Sequence, residues 1–297
     1  MTIFLLIIAI LSSGLAGNIY KRLSAKSDSS AMSAIFPALW FFPLSIFFCA
    51  SMAVRQASWQ ILVQPALLWP ALGGGLGLAL AAIILLESMK RNSLSISVIL
   101  VNLNFMIPVI LSMLLLREET GWIQLAGTLL SAVVIVLLNL KQDDGVIAKG
   151  TLLLPCIACI ANGMVNFCIK LHQNQMGSTN LNGFYTLMYL SAGIFCLLIW
   201  IVLQWKTCRK VPVGKAVWLR IGADALFLGG CNGICFYASS LLAGRMNAAA
   251  QFTVITASSV ALSLAVGFLF QKERLRLKTV LSFLFCLVAI LFQAFSL

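Results

Sequence analysis

Leu114–Leu115–Leu116–Arg117–Glu118–Glu119–Thr120 closes one apolar run and opens the next, and Leu269–Phe270–Gln271–Lys272–Glu273–Arg274–Leu275 does the same 155 residues later. At that offset Gly74 and Gly75 fall on Gly229 and Gly230, and Asn92 falls on Asn247. No gap is needed between these points, so three consecutive apolar segments repeat in register. An earlier pair of segments matches at an offset of 148, with Asn18 on Asn166, Arg22 on Lys170 and Leu23 on Leu171. The chain therefore reads as two copies of one unit, residues 1–145 and 146–297.

Each copy is built for lipid. Of the 297 residues 61% are hydrophobic and only 9% are charged, with a mean hydropathy of +1.04. Soluble domains carry about 25% charged residues, so a soluble enzyme is excluded. Disorder is excluded by the same hydrophobicity. The apolar runs are continuous, where the strands of a membrane β-barrel would alternate. At roughly 20 residues per spanning helix, ten segments fit, near 2–22, 31–51, 66–87, 94–116, 121–140, 150–171, 182–204, 216–242, 246–270 and 277–296. The first lacks a basic start and a clear cleavage site, and so reads as a span rather than a signal peptide.

The net charge of +12 belongs to the loops. Alternate loops hold sixteen of the twenty lysines and arginines, from Lys21 and Arg22 to Arg276 and Lys278; the other loops hold only Arg55, Arg117, Lys170 and Arg245. The positive-inside rule puts the rich set in the cytoplasm and both termini outside. These cations face water and anionic lipid, and the basic aromatic surface that nucleic acid requires is missing from the sequence. Eight of nine cysteines lie inside apolar runs, including the pairs Cys156/Cys159 and Cys231/Cys235. There they act as small apolar residues. His172 is the one histidine, so no metal site is expected.

Five spans per copy is an odd number, so the second copy enters the membrane with opposite orientation. Inverted repeats recur in secondary transporters because exchanging the conformations of the halves turns an outward-open cavity into an inward-open one. The expected fold is an all-α integral membrane protein of ten transmembrane helices in two inverted five-helix repeats. The repeat layout, the Gly-rich third span, the stretch Leu114–Thr120 with Gly127 beyond it, and the stretch Phe268–Leu275 resemble the drug/metabolite transporter superfamily in its ten-helix EamA-like branch. In that family an apolar run is followed by Glu, Arg and Leu opening the next helix. The first copy has Glu119 and Thr120 where Arg and Leu are usual, and Gly127 has Ser282 as its counterpart. The resemblance implies a cavity between the halves, spans 5 and 10 at the periphery, and export of amino acids or related metabolites without a cofactor.

Periodicity selects residues for such a cavity. Ser97, Val101, Asn104, Pro108 and Ser112 form one helical stripe, and 155 residues on it becomes Phe252, Thr256, Ser259, Ser263 and Gly267. A lipid-facing amide would leave its donors and acceptors unpaired, so Asn104 and Thr256 are assigned to the cavity. The small residues Ser112, Ser259, Ser263 and Gly267 are assigned to helix packing. Pro108 frees the carbonyl of Asn104 for a substrate, or merely kinks the span. Asn102 points elsewhere on the helix and glues helices together. Asn18, Asn162 and Asn166 sit at four-residue spacings in spans 1 and 6 and face inward, while the neighbouring cations Arg22 and Lys170 snorkel to the interface. Asn232 and Tyr237 in span 8 and Gln251 in span 9 are further candidates. Tyr185 and Tyr189 form an aromatic wall or sit at the interface.

Two carboxylates fall within spans. Asp224 lies about nine residues into span 8, roughly 13 Å deep at 1.5 Å per residue. Such a group is a functional candidate by default, for a coupling proton or an organic cation; the alternative is a structural pair with Arg220. Glu87 closes span 3 beside Lys90 and Arg91, where an interfacial ion pair is expected. Glu118 and Glu273 stand at helix N-termini, favoured by the dipole, and read as structural.

Among function classes, an enzyme is not expected. Glu118–Glu119 is similar to the paired glutamates of intramembrane CAAX-type proteases, but the Arg and the well-placed histidines of those enzymes are missing. Asp-rich magnesium motifs and a Walker A loop are missing too. The reading that follows is a cytoplasmic-membrane secondary carrier for a small polar metabolite, with a proton as candidate coupling ion. A sugar or cationic-metabolite uptake carrier is the alternative, and a membrane scaffold or receptor the rival class. Two halves in one chain complete a path without a partner, so monomer and homodimer stay equally open.

Overall fold

The computed structural model describes residues 2–25, 30–91, 101–139, 153–177, 180–207, 215–271 and 288. Among them there is no strand. The helices are α1 (Thr2–Ala25), α2 (Ser30–Val54), α3 (Pro65–Arg91), α4 (Met106–Leu115), α5 (Trp122–Asn139), α6 (Leu153–Met176), α7 (Leu181–Thr207), α8 (Lys215–Ala243) and α9 (Ala248–Gln271). They coincide with the first nine expected spans to within a few residues, apart from the N-terminal half of span 4. Five of them, α2, α3, α6, α7 and most of α8, are long and apolar enough to cross a membrane. The chain is thus an all-helical protein with the helices of a multi-pass membrane protein. The tenth segment lies outside the described residues except for Val288, which is helical.

Span 4 is not one continuous α-helix. A 3-10 turn, Leu103–Phe105, precedes α4. Pro108 explains the break: it has no N–H to donate to the carbonyl of Asn104 and its ring crowds that carbonyl. Pro108 therefore sits in the first turn of α4, where a missing N–H is tolerated.

Apolar side chains cover the outside as well as the core, and the buried polar groups tie helices together. Ile3, Phe4, Ile7, Leu11 and Leu15 form an exposed stripe on α1, and Trp69, Trp122 and Trp205 are 70%, 87% and 85% exposed. Inside, Ser45 Oγ donates to the carbonyl of Thr186 at 3.0 Å, and Asn182 Nδ2 donates to Ser51 Oγ at 3.0 Å, both joining α2 to α7. Lipid gives apolar side chains no drive to turn inward, so close packing and such polar ties hold the helices together.

The core is aromatic and belongs mainly to α2 and α7. Phe48 stacks on Tyr185 at 5.1 Å and on Tyr189 at 5.9 Å, and Phe41 stacks on Tyr189 at 6.1 Å. Tyr185 and Tyr189 are fully buried, so they build this core rather than the interfacial belt. The Tyr185 hydroxyl donates to the carbonyl of Phe236 at 2.6 Å and pairs with Ser240.

The dominant packings all join a helix from residues 1–145 to one from 146–297: α2 with α7, α3 with α6 and α7, α8 with α1 and α2, α4 with α6, and α9 with α1. Exchanging α1, α2, α3 and α4 for α6, α7, α8 and α9 in that order leaves this pattern unchanged. Glycines permit the closest approaches. A Cβ on Gly229 would lie 2.7 Å from Trp40 Cβ, and one on Gly74 would lie 3.2 Å from Met188 Sδ. Gly74 and Gly229 are 155 residues apart, and Trp40 and Met188 are 148 apart. These are the two offsets of the sequence repeat.

Candidate functional site

A cavity of about 190 Å³ opens among α1, α3, the segment before α4, α6, α8 and α9. Its polar wall is made of carboxamides and hydroxyls: Asn102, Asn104, Asn162, Asn166 and Asn232, with Ser13, Tyr20, Ser239, Thr256 and Ser259. The apolar wall includes Leu78, Ala82, Phe236 and Phe252. Among the described residues that line it, none is charged. Three of the amides have side-chain partners. Asn166 Nδ2 donates to Asn104 Oδ1 at 3.3 Å, and Asn232 Nδ2 donates to the Tyr20 hydroxyl at 3.5 Å. Tyr20 is braced by Trp40, edge to face at 6.1 Å. Each carboxamide has two donors and an acceptor with two lone pairs, so these single bonds do not exhaust their hydrogen-bonding capacity.

Five of the residues chosen by spacing, Asn104, Asn162, Asn166, Asn232 and Thr256, meet in this cavity. Four others, Pro108, Asp224, Tyr237 and Gln251, are not among its lining residues. Pro108 is buried outside it, and the Asn104 carbonyl abuts α6, 2.9 Å from where a Gly163 Cβ would stand. That carbonyl faces a helix, not a substrate. Gln251 lies just behind the wall, fully buried, with Nε2 donating to the Ser239 carbonyl at 2.7 Å. Tyr237 lines a second cavity of about 140 Å³ with Met52, Arg55 and Asn182. Asp224 is half-buried on α8. The Asn18 backbone is in α1, but its side chain, like that of Arg220, lies outside the described residues.

Asn102, Ser259 and Tyr20 are additions or reassignments. Asn102 was expected on another face because two residues of an α-helix are 200° apart. The 3-10 winding that follows advances about 120° per residue, which brings Asn102 and Asn104 toward one side. Proline four residues past Asn104 was the available signal. Ser259 lines the cavity while its Oγ donates to the Thr256 carbonyl at 2.9 Å. Tyr20 stands two residues from Asn18 and could have been found only by knowing that α8 packs beside α1.

The ion pairs also depart from expectation. Lys170 does not snorkel. Its side chain is 5% exposed and its Nζ lies 2.7 Å from Glu118 Oε1. The same ammonium donates to the carbonyls of Ala243 and Met246, both at 2.8 Å. Glu118 was expected to serve the helix it opens but serves a different one: its Oε2 accepts the Ala248 N–H at 3.0 Å, at the start of α9. Arg117, at φ 54, turns the chain back after α4 and presents Glu118 to it. Glu87 pairs with Lys90 at 3.3 Å and also accepts from Ser30 and Ser33 of α2. Cys49, Cys156, Cys159, Cys168, Cys196, Cys231 and Cys235 are free thiols. No metal-ligating cluster occurs among the described residues.

No protein-family model matches the sequence, and no curated protein matches it. Solved structures do match. One, described only as a crystal structure of protein, aligns over 97% of this chain and 98% of its own with a TM-score of 0.68 at 17% identity. At that identity the likeness shows that this chain shares its overall fold with a known structure.

Proposed function

We propose that this protein is a secondary carrier that moves a small polar metabolite across the cytoplasmic membrane by alternating access. In this reading residues 1–145 and 146–297 are inverted five-helix repeats that form ten spans, and the chain is a distant relative of the drug/metabolite transporter superfamily, EamA-like branch. Both termini face outward. The observation that carries the proposal is the amide-lined cavity, which draws its wall from both halves: α1, α3 and the segment before α4 on one side, α6, α8 and α9 on the other. Polar side chains within apolar helices face the protein interior or a cavity, and such cavities mark substrate paths. The exchange symmetry of the packing supports the inverted arrangement, because two interchangeable halves can open the same cavity to either face.

Carboxamides and hydroxyls bind by mutual donation and acceptance, which suits a neutral or zwitterionic guest. Export of an amino acid or a related compound is the leading reading. The density of amides around Tyr20 favours, as the second, a neutral hydroxyl-rich solute such as a sugar. The carrier needs no cofactor. Asp224 is the candidate for a coupling proton, acting from α8 outside the cavity wall.

The test is a ligand-dependent melting screen on the purified full-length chain with amino acids, sugars, nucleosides and quaternary amines, at two pH values. It is repeated on Asn166→Ala and Asp224→Asn. A ligand of the folded state raises the melting temperature. The expected hit is neutral or zwitterionic and weakened by Asn166→Ala, and Asp224→Asn reads whether that carboxylate takes part. A hit that ignores Asn166→Ala moves the site elsewhere. No hit in any class, with lipids or a partner protein stabilising instead, turns the reading to a membrane scaffold or receptor.

A further inference from the structure

We infer that the Lys170–Glu118 pair is the latch that closes one end of the cavity, and that it must part for a solute to pass on that side. The inference rests on the carrier reading and adds the moving part to it. Four segments meet at the pair. Lys170 rises from α6, Glu118 hangs from the α4–α5 loop, and the carbonyls of Ala243 and Met246 belong to the α8–α9 turn. The fourth, the first N–H of α9, is held by the second carboxylate oxygen of Glu118.

The position is right for a closure. Asn166 and Asn162, one and two turns before Lys170 on α6, line the cavity, as do Ser239 and Cys235 on α8 before Ala243. Phe252 and Thr256 of α9 line it after Ala248. The three wall helices therefore converge on this cluster beyond the last cavity residues. The charges also fall on the expected end: Arg117 and Arg245 flank the cluster, and these belong to the charge-poor loops assigned to the outside.

The chemistry suits a switch better than a weld. A buried ion pair adds little net stability compared with apolar packing, and nonpolar residues would seal the end as well. What the pair adds is a contact that water can replace on both sides once the helices part. The α8–α9 turn is short, so a shift of Lys170 carries both helix ends with it.

Cys235 supplies the readout. The full-length chain keeping only that cysteine is placed in right-side-out and inside-out vesicles and treated with a charged, membrane-impermeant thiosulfonate. From the Glu118 face labelling is expected to be slow in the parent, and about tenfold faster in Glu118→Gln and in Lys170→Met, as the closed state loses its bias. Should either variant fail to fold, Glu118→Asp, which withdraws the carboxylate by one methylene, is read in the same way. Unchanged labelling from that face in folded variants overturns the latch, whatever ligand the screen finds. Faster labelling without any ligand binding supports the latch while removing the carrier reading on which transport depends.

Discussion

The amide of Asn166 reaches across 3.3 Å to the carbonyl oxygen of the Asn104 side chain and joins α6 to the turn before α4 inside the cavity. One residue comes from each half of the chain. The pair fixes the orientation of both amides and leaves their remaining groups unspent.

Asn166→Ala and Asn104→Ala are therefore expected to weaken a cavity ligand about fivefold each. A neutral hydrogen bond contributes about 1 kcal/mol, and 1.4 kcal/mol is tenfold in affinity. The ligand-free melting temperature should move little, since water replaces the lost amide. Titration calorimetry with the hit from the melting screen checks this; an affinity that neither substitution changes places the ligand outside the cavity.

Glu118→Ala is expected to destabilise the protein more than Lys170→Met. The lysine side chain is 5% exposed and the glutamate 22%. Removing the glutamate strands a buried ammonium with only two carbonyls, at about 3 kcal/mol. Removing the lysine leaves a carboxylate that reaches water and still holds α9, at about 1 kcal/mol. The double substitution should fall well short of the sum, since the partners are coupled. Thermal unfolding in detergent of the two single variants and the double variant reads all three.

Neighbouring glycines offer an internal control. A Cβ at Gly229 would come within 2.7 Å of Trp40 Cβ, whereas at Gly230 nothing lies within 4 Å. Gly229→Ala should push α8 off α2 and cost about 2 kcal/mol. Gly230→Ala should be neutral or stabilise the helix by up to about 1 kcal/mol. Equal effects in melting curves would contradict the packing of α8 on α2.

Asn247 caps α9. Its Oδ1 accepts the Ala250 N–H at 2.9 Å, and its Nδ2 donates to Gln124 Oε1 at 2.6 Å. Asn247→Ala should destabilise by about 1 kcal/mol. Asn247→Asp keeps the cap but sets a carboxylate oxygen against Gln124 Oε1 in place of the Nδ2 donor, so it should recover only part of that loss in the same melting assay.

The sequence by itself determined the helices, because a segment of about 20 apolar residues in lipid has to satisfy its own backbone. The offsets of 155 and 148 residues read from the sequence also relate the Gly74–Met188 contact to the Gly229–Trp40 contact. Five cavity residues were legible, since an asparagine within an apolar run has few places to point. Tertiary structure decided the rest. The break before Pro108 turned Asn102 toward the cavity, and α1 packing on α8 brought Tyr20 to Asn232. Lys170 met Glu118 rather than the interface, because the α4–α5 loop delivers a carboxylate from 52 residues away. A sequence period describes one helix at a time. Which helices face one another depends on where glycine lets backbones approach, and that is a property of pairs.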